Sequence, residues 1–405
     1  MRMLVLQSSS RFETFGGIEY YLDDLLCSAA EVWPQSPPAA LVPKRSRFTP
    51  LPRPYAVHPV QHSKNRLLSK LQNRFNVPLI RDALARVRAT QPDFLVSGHV
   101  ALGPVTWLLS RLTGIPYLSV VYGIESWGGL WAWDEFALRR SHGIISISQW
   151  TKDRLVARGY SADQIQILHP RLDSRLENLE LPLRLPSTPL RLLSVSRLDA
   201  NEQYKGHDHV LQALLILRSR APELQFHYTI QGDGTDRARL EALVDEWALG
   251  DRVTFTLPVH DRVELSRAYE NADLLVMPSR FGKWERRWRG EGFGIVYLEA
   301  AAFGVPSLAY DCGGVTDIIE NGVTGILATP DDISRLADAL AELARDPQNI
   351  TLMGRNAHAA VNTRFTRTAV HAQLESAVRE FSRQDRQMPT TSRSPQPSEA
   401  PQIPA

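Results

Sequence analysis

Short apolar runs alternate with longer amphipathic stretches along most of this chain. The runs are rich in leucine and β-branched residues, and the stretches between them follow helical periodicity, as at 206–218 and 235–248. This alternation is typical of parallel βαβ units, so the pattern predicts an α/β protein. The predicted strands cover residues 3–7, 94–97, 118–121, 144–148, 165–168, 190–196, 225–231, 253–256, 273–277 and 305–309.

The alternation is interrupted once, at residues 181–189, where three prolines break any regular structure. It then restarts, which predicts two successive Rossmann-like units, residues 1–185 and 190–365, with a cleft between them. Ligands usually bind in such clefts. The last residues, 383–405, contain five prolines and almost no large apolar side chain, so we expect a disordered tail.

Composition excludes several classes of function. The apolar share of 43% and a net charge of +2 are ordinary for a globular enzyme and give no electrostatic reason to expect a nucleic-acid partner. Cys27 and Cys312 lie far apart, without metal-ligand spacing, which favours a reducing, cytoplasmic setting. No run reaches the roughly 18–20 apolar residues that span a bilayer, so any membrane association would be peripheral, on the inner face.

The most informative segment is residues 290–300, Gly-Glu-Gly-Phe-Gly-Ile-Val-Tyr-Leu-Glu-Ala. Glu291 lies in a glycine-rich turn and Glu299 about two turns into the apolar helix that follows, so the two carboxylates are too far apart to pair but well placed to hold opposite ends of one elongated ligand. Gly292 and Gly294 let backbone amides approach an anion where the helix starts. The carboxylate in the turn suits sugar hydroxyls, the backbone amides suit a diphosphate, and the second carboxylate suits a ribose.

The segment resembles the signature of the retaining, nucleotide-sugar-dependent glycosyltransferases of the GT-B type, often called glycosyl transferases group 1. The resemblance extends from Met3 to about Phe381. It implies a GT-B fold, two Rossmann-like domains with an interdomain cleft, and a final helix, 366–382, that returns to the N-terminal domain. It also implies retaining transfer of a hexose from a nucleoside diphosphate sugar to a glycan or lipid-linked acceptor. Relatives with Gly-Glu-Gly-Phe-Gly-Ile-Val are often mannosyltransferases that use GDP-mannose, which makes mannose one candidate sugar.

The resemblance also assigns roles to residues. Glu291 contacts the donor sugar, and Arg197 and Lys205, at the end of the second unit's first strand, stabilise the departing phosphate. The loop that joins these two cations is about two residues longer than is usual in the family. The turn 232–234 lacks the third glycine of a dinucleotide fingerprint, so an NAD interpretation is weak. The predicted donor-binding residues are Glu299, Gly292, Phe293, Gly294, Ile295, Gly232, Val259, Gly16 and Gly17.

We expect no metal and no cofactor, because cations and helix amides can neutralise the diphosphate and no Asp-x-Asp pair lies in a loop beside the proposed site. On the acceptor side, many relatives have histidine where this chain has Tyr122. The loop 281–289, with two tryptophans and four cations, could grip a glycan or an anionic group. The predicted acceptor-side residues are His99, Tyr122, Glu125, Trp284 and Trp288.

Several alternatives remain open on sequence alone. The basic amphipathic segment 63–75 fits either a membrane surface or the protein's own core. A sugar-nucleotide epimerase and a non-catalytic sugar-nucleotide binding protein could use the same scaffold. Pyridoxal-dependent phosphorolysis on a related scaffold would need a buried lysine to bind the aldehyde, and no segment of the sequence indicates one.

Overall fold

The computed structural model describes residues 1–7, 17–43, 53–60, 77–181, 185–258, 262–284 and 287–387. Within these ranges, the chain forms two parallel β-sheets, each flanked by helices. The fold is GT-B, and the prediction of two Rossmann-like α/β domains is confirmed.

The first domain contains a seven-stranded sheet among the described residues, with the order β3-β2-β1-β4-β5-β6-β7. The central strands are buried on both faces, as expected for a parallel sheet covered by helices. Its strands are β1 (Met3–Leu6), β2 (Ala39–Pro43), β3 (Ala56–Val60), β4 (Phe94–Ser97), β5 (Tyr117–Val121), β6 (Gly143–Ser146) and β7 (Ile165–Ile167). Its helices are α1 (Gly17–Val32), α2 (Val77–Thr90), α3 (Gly103–Thr113), α4 (Ala132–Arg139) and α5 (Gln149–Ala157).

The second domain repeats this plan with six described strands in the order β10-β9-β8-β11-β14-β15. Its sheet strands are β8 (Leu190–Val195), β9 (Phe226–Gln231), β10 (Val253–Thr256), β11 (Leu274–Val276), β14 (Ser307–Tyr310) and β15 (Gly325–Ala328). Two short antiparallel strands, β12 (Gly282–Trp284) and β13 (Arg287–Arg289), form a separate hairpin. The helices are α6 (His207–Arg220), α7 (Arg237–Glu246), α8 (Arg262–Glu270), α9 (Ile295–Ala302), α10 (Ile333–Arg345) and α11 (Pro347–Arg364).

Local sequence explains where several of these helices begin and end. Ser148 caps α5, because its hydroxyl accepts a hydrogen bond from the Thr151 amide at 3.2 Å. Asp332 caps α10 in the same way, through the Arg335 amide at 2.8 Å. Gly114 ends α3 in the left-handed conformation, which glycine adopts without steric cost.

The last helix, α12 (Arg367–Gln387), packs on the first domain. His371 Nε2 lies 3.2 Å from the Glu31 carboxylate on α1. Phe381 lies so close to Gly143 that a Cβ there would come within 2.2 Å of its ring. The tail was expected to begin at Arg383, but the helix continues to Gln387, because residues 383–387 are mostly good helix formers and the next proline is Pro389. Residues 388–405 lie outside the described ranges.

The two domains are in direct contact, because residues that precede the linker bond to Asp317 of the second domain. Asp317 of the second domain accepts a hydrogen bond from the Gln149 amide at 2.7 Å, at the N-terminus of α5. His169 Nε2 lies 3.0 Å from the same carboxylate oxygen. A carboxylate at a helix N-terminus is favoured by the helix dipole, so this contact helps to fix one domain against the other.

Candidate active site

The segment that carries Glu291 is a turn, and helix α9 begins only at Ile295. Glu291 thus lies in a turn, as expected, but Glu299 lies about one turn into the helix and not two, so that part of the expectation was wrong. The physical reason is Gly294, which takes the left-handed conformation (φ 98°) at the N-cap and turns the chain into α9. The amide end of α9 still faces the end of the sheet, as an anion site requires.

Glu291 and Lys205 form an ion pair in this turn. Lys205 Nζ lies 3.6 Å from Glu291 Oε2, and the two side chains are only 14% and 19% exposed. Burial is the largest single influence and lowers the pKa of Lys205, but the charges of Glu291, Tyr204 and Glu202 together outweigh it and raise the pKa to about 12. Lys205 is therefore a fixed positive charge at neutral pH, held beside the predicted sugar-binding carboxylate.

Lys205 reaches this position through a tight turn after β8. Residues Ala200–Lys205 form a 3₁₀ turn that ends at Gly206, whose φ is +78°. A Cβ on Gly206 would lie 2.3 Å from the Pro278 carbonyl, so this turn packs directly on the segment that follows β11. The segments that follow β8 and β11, which are neighbouring strands in the sheet, thus hold Lys205 in place.

Arg197 is arranged differently from Lys205. Its side chain is 71% exposed, and its guanidinium pairs with Glu202. Glu202 lies in the part of the loop that is longer than usual in the family. The structure therefore places Arg197 at the rim of the site with a carboxylate partner, while Lys205 is the buried cation.

Glu299 has a partner that the sequence did not indicate. The hydroxyl of Tyr269 on α8 donates to Glu299 Oε2 at 2.7 Å. Tyr269 is 1% exposed and its ring stacks on Phe303 at 5.7 Å. Burial and then the Glu299 charge raise the pKa of Tyr269 well above its ordinary value, so the phenol stays protonated and donates.

The predicted donor-side glycines differ in their surroundings, and Gly232 serves backbone packing. A Cβ on Gly232 would lie 1.9 Å from the Ser196 carbonyl, so the 232–234 turn packs on the strand end that precedes Arg197. Gly17 is the exposed first residue of α1, with open space where a Cβ would lie. Gly16 and Val259 lie outside the described residues.

Two further donor-side predictions concern the start of α9. Phe293 is 2% exposed and its ring lies 5.6 Å from that of His169, so only its backbone can face a ligand. Ile295 is the first residue of α9 and is half-buried. A second turn, at residues 311–315, supports the first: the Gly314 amide donates to the Glu291 carbonyl at 2.9 Å and anchors the turn that carries Glu291.

The three N-terminal residues predicted for the acceptor side hold loops in place. The Tyr122 hydroxyl is buried and donates to the Gly98 carbonyl at 2.9 Å. Glu125 accepts from the Tyr122 amide at 2.5 Å. His99 Nδ1 accepts from the Ala101 amide at 3.1 Å and caps a short 3₁₀ turn. Side-chain contact between Tyr122 and an acceptor is thus disfavoured, because that side chain is already engaged.

The hairpin β12–β13 separates the two tryptophans that the sequence analysis grouped together. Trp284 is 37% exposed, as expected of a ligand-facing ring. Trp288 is half-buried: it stacks on Phe281 at 4.9 Å and lies against Gly128 of the first domain, where a Cβ would be 2.7 Å from its indole nitrogen. The facing domain thus covers part of the Trp288 ring, and contact with an acceptor stays a prediction for both tryptophans.

Within the described ranges, no group of three or more histidine, cysteine, aspartate or glutamate side chains is arranged to hold a metal ion. In that same part of the chain, no helix is long and apolar enough to cross a membrane. The basic segment 63–75 lies outside the described residues.

Comparison with known proteins identifies the family. A model described as glycosyl transferases group 1 matches residues 177–360, and a model described as glycosyltransferase family 4 matches residues 15–175. This chain belongs to the group 1 glycosyltransferases. As a member of that family it is a glycosyltransferase, and the enzyme class expected from residues 290–300 is confirmed.

The similar proteins are named for different glycosyl transfer reactions. This glycosyltransferase is 29% identical over 348 residues to the alpha-D-kanosaminyltransferase of Streptomyces kanamyceticus, covering 79% of this chain and 83% of that one. It is 31% identical over 223 residues to the GDP-mannose-dependent alpha-(1-6)-phosphatidylinositol monomannoside mannosyltransferase of Mycobacterium tuberculosis, covering 52% of this chain and 54% of that one.

Solved structures of other proteins share the two-domain fold of this chain. HepE of Anabaena in complex with UDP and glucose superimposes with a TM-score of 0.72 at 20% identity, over 94% of this chain and 99% of that one. The sucrose-phosphate synthase of Thermosynechococcus elongatus gives a TM-score of 0.74 at 20% identity, over 95% of this chain and all of that one.

Proposed function

We propose that this protein is a retaining glycosyltransferase that moves a hexose from a nucleoside diphosphate sugar to a glycan or lipid-linked acceptor. The observation that carries the proposal is the Lys205–Glu291 pair, 3.6 Å apart and largely buried at the cleft end of the second sheet. A fixed cation there can stabilise the charge that develops on a departing diphosphate, while the carboxylate beside it can accept hydrogen bonds from sugar hydroxyls.

The other donor-site residues fit the same ligand. Tyr269 orients the Glu299 carboxylate, which in the resembling family binds the ribose hydroxyls. The start of α9 presents amides to the diphosphate, and Arg197 at the rim exchanges Glu202 for a phosphate oxygen. The relatives named above differ in donor and acceptor, so we propose the hexose class, with mannose as one candidate, and leave the base open.

The hairpin β12–β13 supports the acceptor part of the proposal. It precedes Glu291 directly and contacts the first domain through Trp288, while Trp284 keeps an exposed aromatic face. Flat aromatic surfaces suit sugar rings, and Lys283 and Arg287 on the hairpin suit an anionic group. Cys27 and Cys312 are free thiols, which favours a reducing, cytoplasmic site of action, and docking on a membrane surface would bring a lipid-linked acceptor within reach.

Two measurements test the proposal. A thermal-shift screen against UDP-, GDP- and ADP-sugars should reveal the donor, because a ligand at 100 times its dissociation constant adds about 2.7 kcal/mol of stability. Transfer of labelled sugar from that donor, with NMR of the product anomer, should then show the configuration of the donor retained. Conversion of the donor to an isomer without an acceptor would instead establish an epimerase.

The Lys205→Met variant supplies the mechanistic control. It removes the charge but keeps the length of the side chain, so turnover should fall by about 10²–10³, as for loss of one preorganised charge-stabilising group. If no nucleotide sugar raises the melting temperature of the wild-type protein, the donor assignment is wrong. Wild-type turnover in the variant would show that the diphosphate binds elsewhere.

A further inference from the structure

Arg280 lies at a junction of four segments around the Lys205 turn. It follows β11, and its side chain is 15% exposed. Its guanidinium contacts the turn after β8, the first residues of α6 and the ring of Trp284 on the hairpin. Neither the family signature nor the donor-site residues named above include it.

The contacts between Arg280 and the Lys205 turn are direct hydrogen bonds. Nη2 donates to the Gln203 carbonyl at 2.6 Å, and the Arg280 backbone amide donates to the Tyr204 carbonyl, also at 2.6 Å. These two carbonyls immediately precede Lys205. The Arg280 side chain therefore holds the Gln203 carbonyl, and its backbone amide holds the next carbonyl, that of Tyr204, to which Lys205 is joined.

Arg280 is itself held by α6. Nη1 lies 3.2 Å from His209 Nε2. A guanidinium can only donate, so Nε2 accepts and the imidazole proton lies on Nδ1, 2.9 Å from the Tyr310 hydroxyl. Asp208 lies 3.6 Å from Arg280 Nη2 and balances its charge. Burial, and then the charge of Arg280, lower the pKa of His209, which is consistent with a neutral ring.

We propose that Arg280 is a positioning residue for the transfer reaction: its guanidinium ties the Gln203 carbonyl to α6 so that Lys205, two residues further on, faces the departing diphosphate. This inference rests on the proposed role of Lys205. Arg280 acts through Lys205 and does not touch the substrate. A planar guanidinium is required because it bonds a carbonyl and an imidazole in fixed directions beside the Asp208 carboxylate, which an ammonium group cannot do.

A double-mutant cycle tests whether Arg280 acts through Lys205. Arg280→Met should lower kcat by between about tenfold and a hundredfold, since small misplacements of a catalytic group have effects of that size, and should leave the donor KM within about threefold. In the Lys205→Met background, the same substitution should change the residual rate by less than about twofold, because the misplaced group is already absent. Arg345→Met, at an exposed arginine that pairs with Glu223, is the matched control and should behave as wild type.

The outcomes separate the inference from the proposed function. If Arg280→Met lowers the rate by the same factor in both backgrounds, or does not lower it at all, Arg280 is not a positioning residue, while the assignment of Lys205 stands. If Lys205→Met alone keeps wild-type turnover, both ideas fail. Should Arg280→Met not fold, Arg280→Lys replaces it in the cycle, because it keeps the charge beside Asp208; it should melt near the wild-type temperature and turn over at an intermediate rate.

Discussion

His207 provides a quantitative test of how the donor domain is built. The side chain is 6% exposed, with Nε2 2.8 Å from the Ser196 hydroxyl and Nδ1 3.2 Å from the Tyr228 hydroxyl. Burial, and then the charge of Lys205, lower its pKa to about 4. Replacing His207 by glutamine keeps a group that can bond Ser196 but removes the titration.

The sign of the effect follows from proton binding. The folded pKa of about 4 lies below the ordinary value of 6.5, so between these values the unfolded chain binds more protons than the folded chain. Stability from this residue is therefore fully present above pH 6.5 and is lost as the pH falls toward 4. The gap of about 2.5 pKa units, at about 1.4 kcal/mol each, corresponds to a total of about 3.5 kcal/mol, of which about 2 kcal/mol is lost by pH 5.

Urea unfolding at pH 7 and pH 5, followed by tryptophan fluorescence, measures this loss. Wild-type stability should fall by about 2 kcal/mol more than that of His207→Gln over this interval, since acid effects at other groups are common to both proteins. Tyr228→Phe is the control: it removes a partner of the imidazole but leaves the imidazole buried, so its stability should fall with pH as in the wild type. Parallel pH dependences for wild type and His207→Gln would show that His207 is not held neutral by burial.

Four further results are expected. Tyr269→Phe removes the hydroxyl that donates to Glu299, and a hydrogen bond to a charged acceptor is worth about 1.5–3 kcal/mol. Calorimetry should therefore show nucleotide binding weakened by about tenfold, and unchanged affinity would mean that Glu299 does not bind the nucleotide. Glu202→Gln should tighten nucleotide binding by about two- to fivefold, because an exposed pair with Arg197 is worth less than about 1 kcal/mol, and weaker binding would contradict this competition. Trp284→Ala should raise the acceptor KM and leave nucleotide affinity within about twofold, and the reverse pattern would assign the ring to the donor. Activity should survive EDTA, and loss that is restored by manganese or magnesium would contradict metal-independent transfer.

The sequence predicted most of the sheet strands, because most are short runs rich in leucine and β-branched residues. β1 is a continuous apolar run and β8 is mostly apolar, and the pattern located both within a residue or two. It missed the edge strand β3, because His58 and Pro59 interrupt its apolar residues and only Val60 is buried. β2 and β15 were also missed, since each is a short run bounded by residues typical of turns.

In the candidate site, the sequence indicated the charged residues but not what holds them. Lys205 and Glu291 were recognised because each lies in a local motif, and the structure brings them together. Tyr269 is 30 residues from Glu299, and no local pattern connects the two. The position of Trp288 depends on Gly128 of the other domain, so its burial could be seen only once both domains were folded.

The glycines in and beside the Glu291 turn have a packing role that the sequence motif did not predict. Their expected purpose was to let a ligand approach the backbone. In the structure, a Cβ on Gly292 would lie 2.1 Å from the Tyr122 carbonyl of the first domain, and a Cβ on Gly314 would lie 2.1 Å from the Gly292 carbonyl. The Glu291 turn is thus enclosed by backbone from both domains, and a side chain at either glycine would force it to move. The orientation of Glu291 is therefore set by the contact between the domains, so a change in their separation also changes the site that receives the sugar.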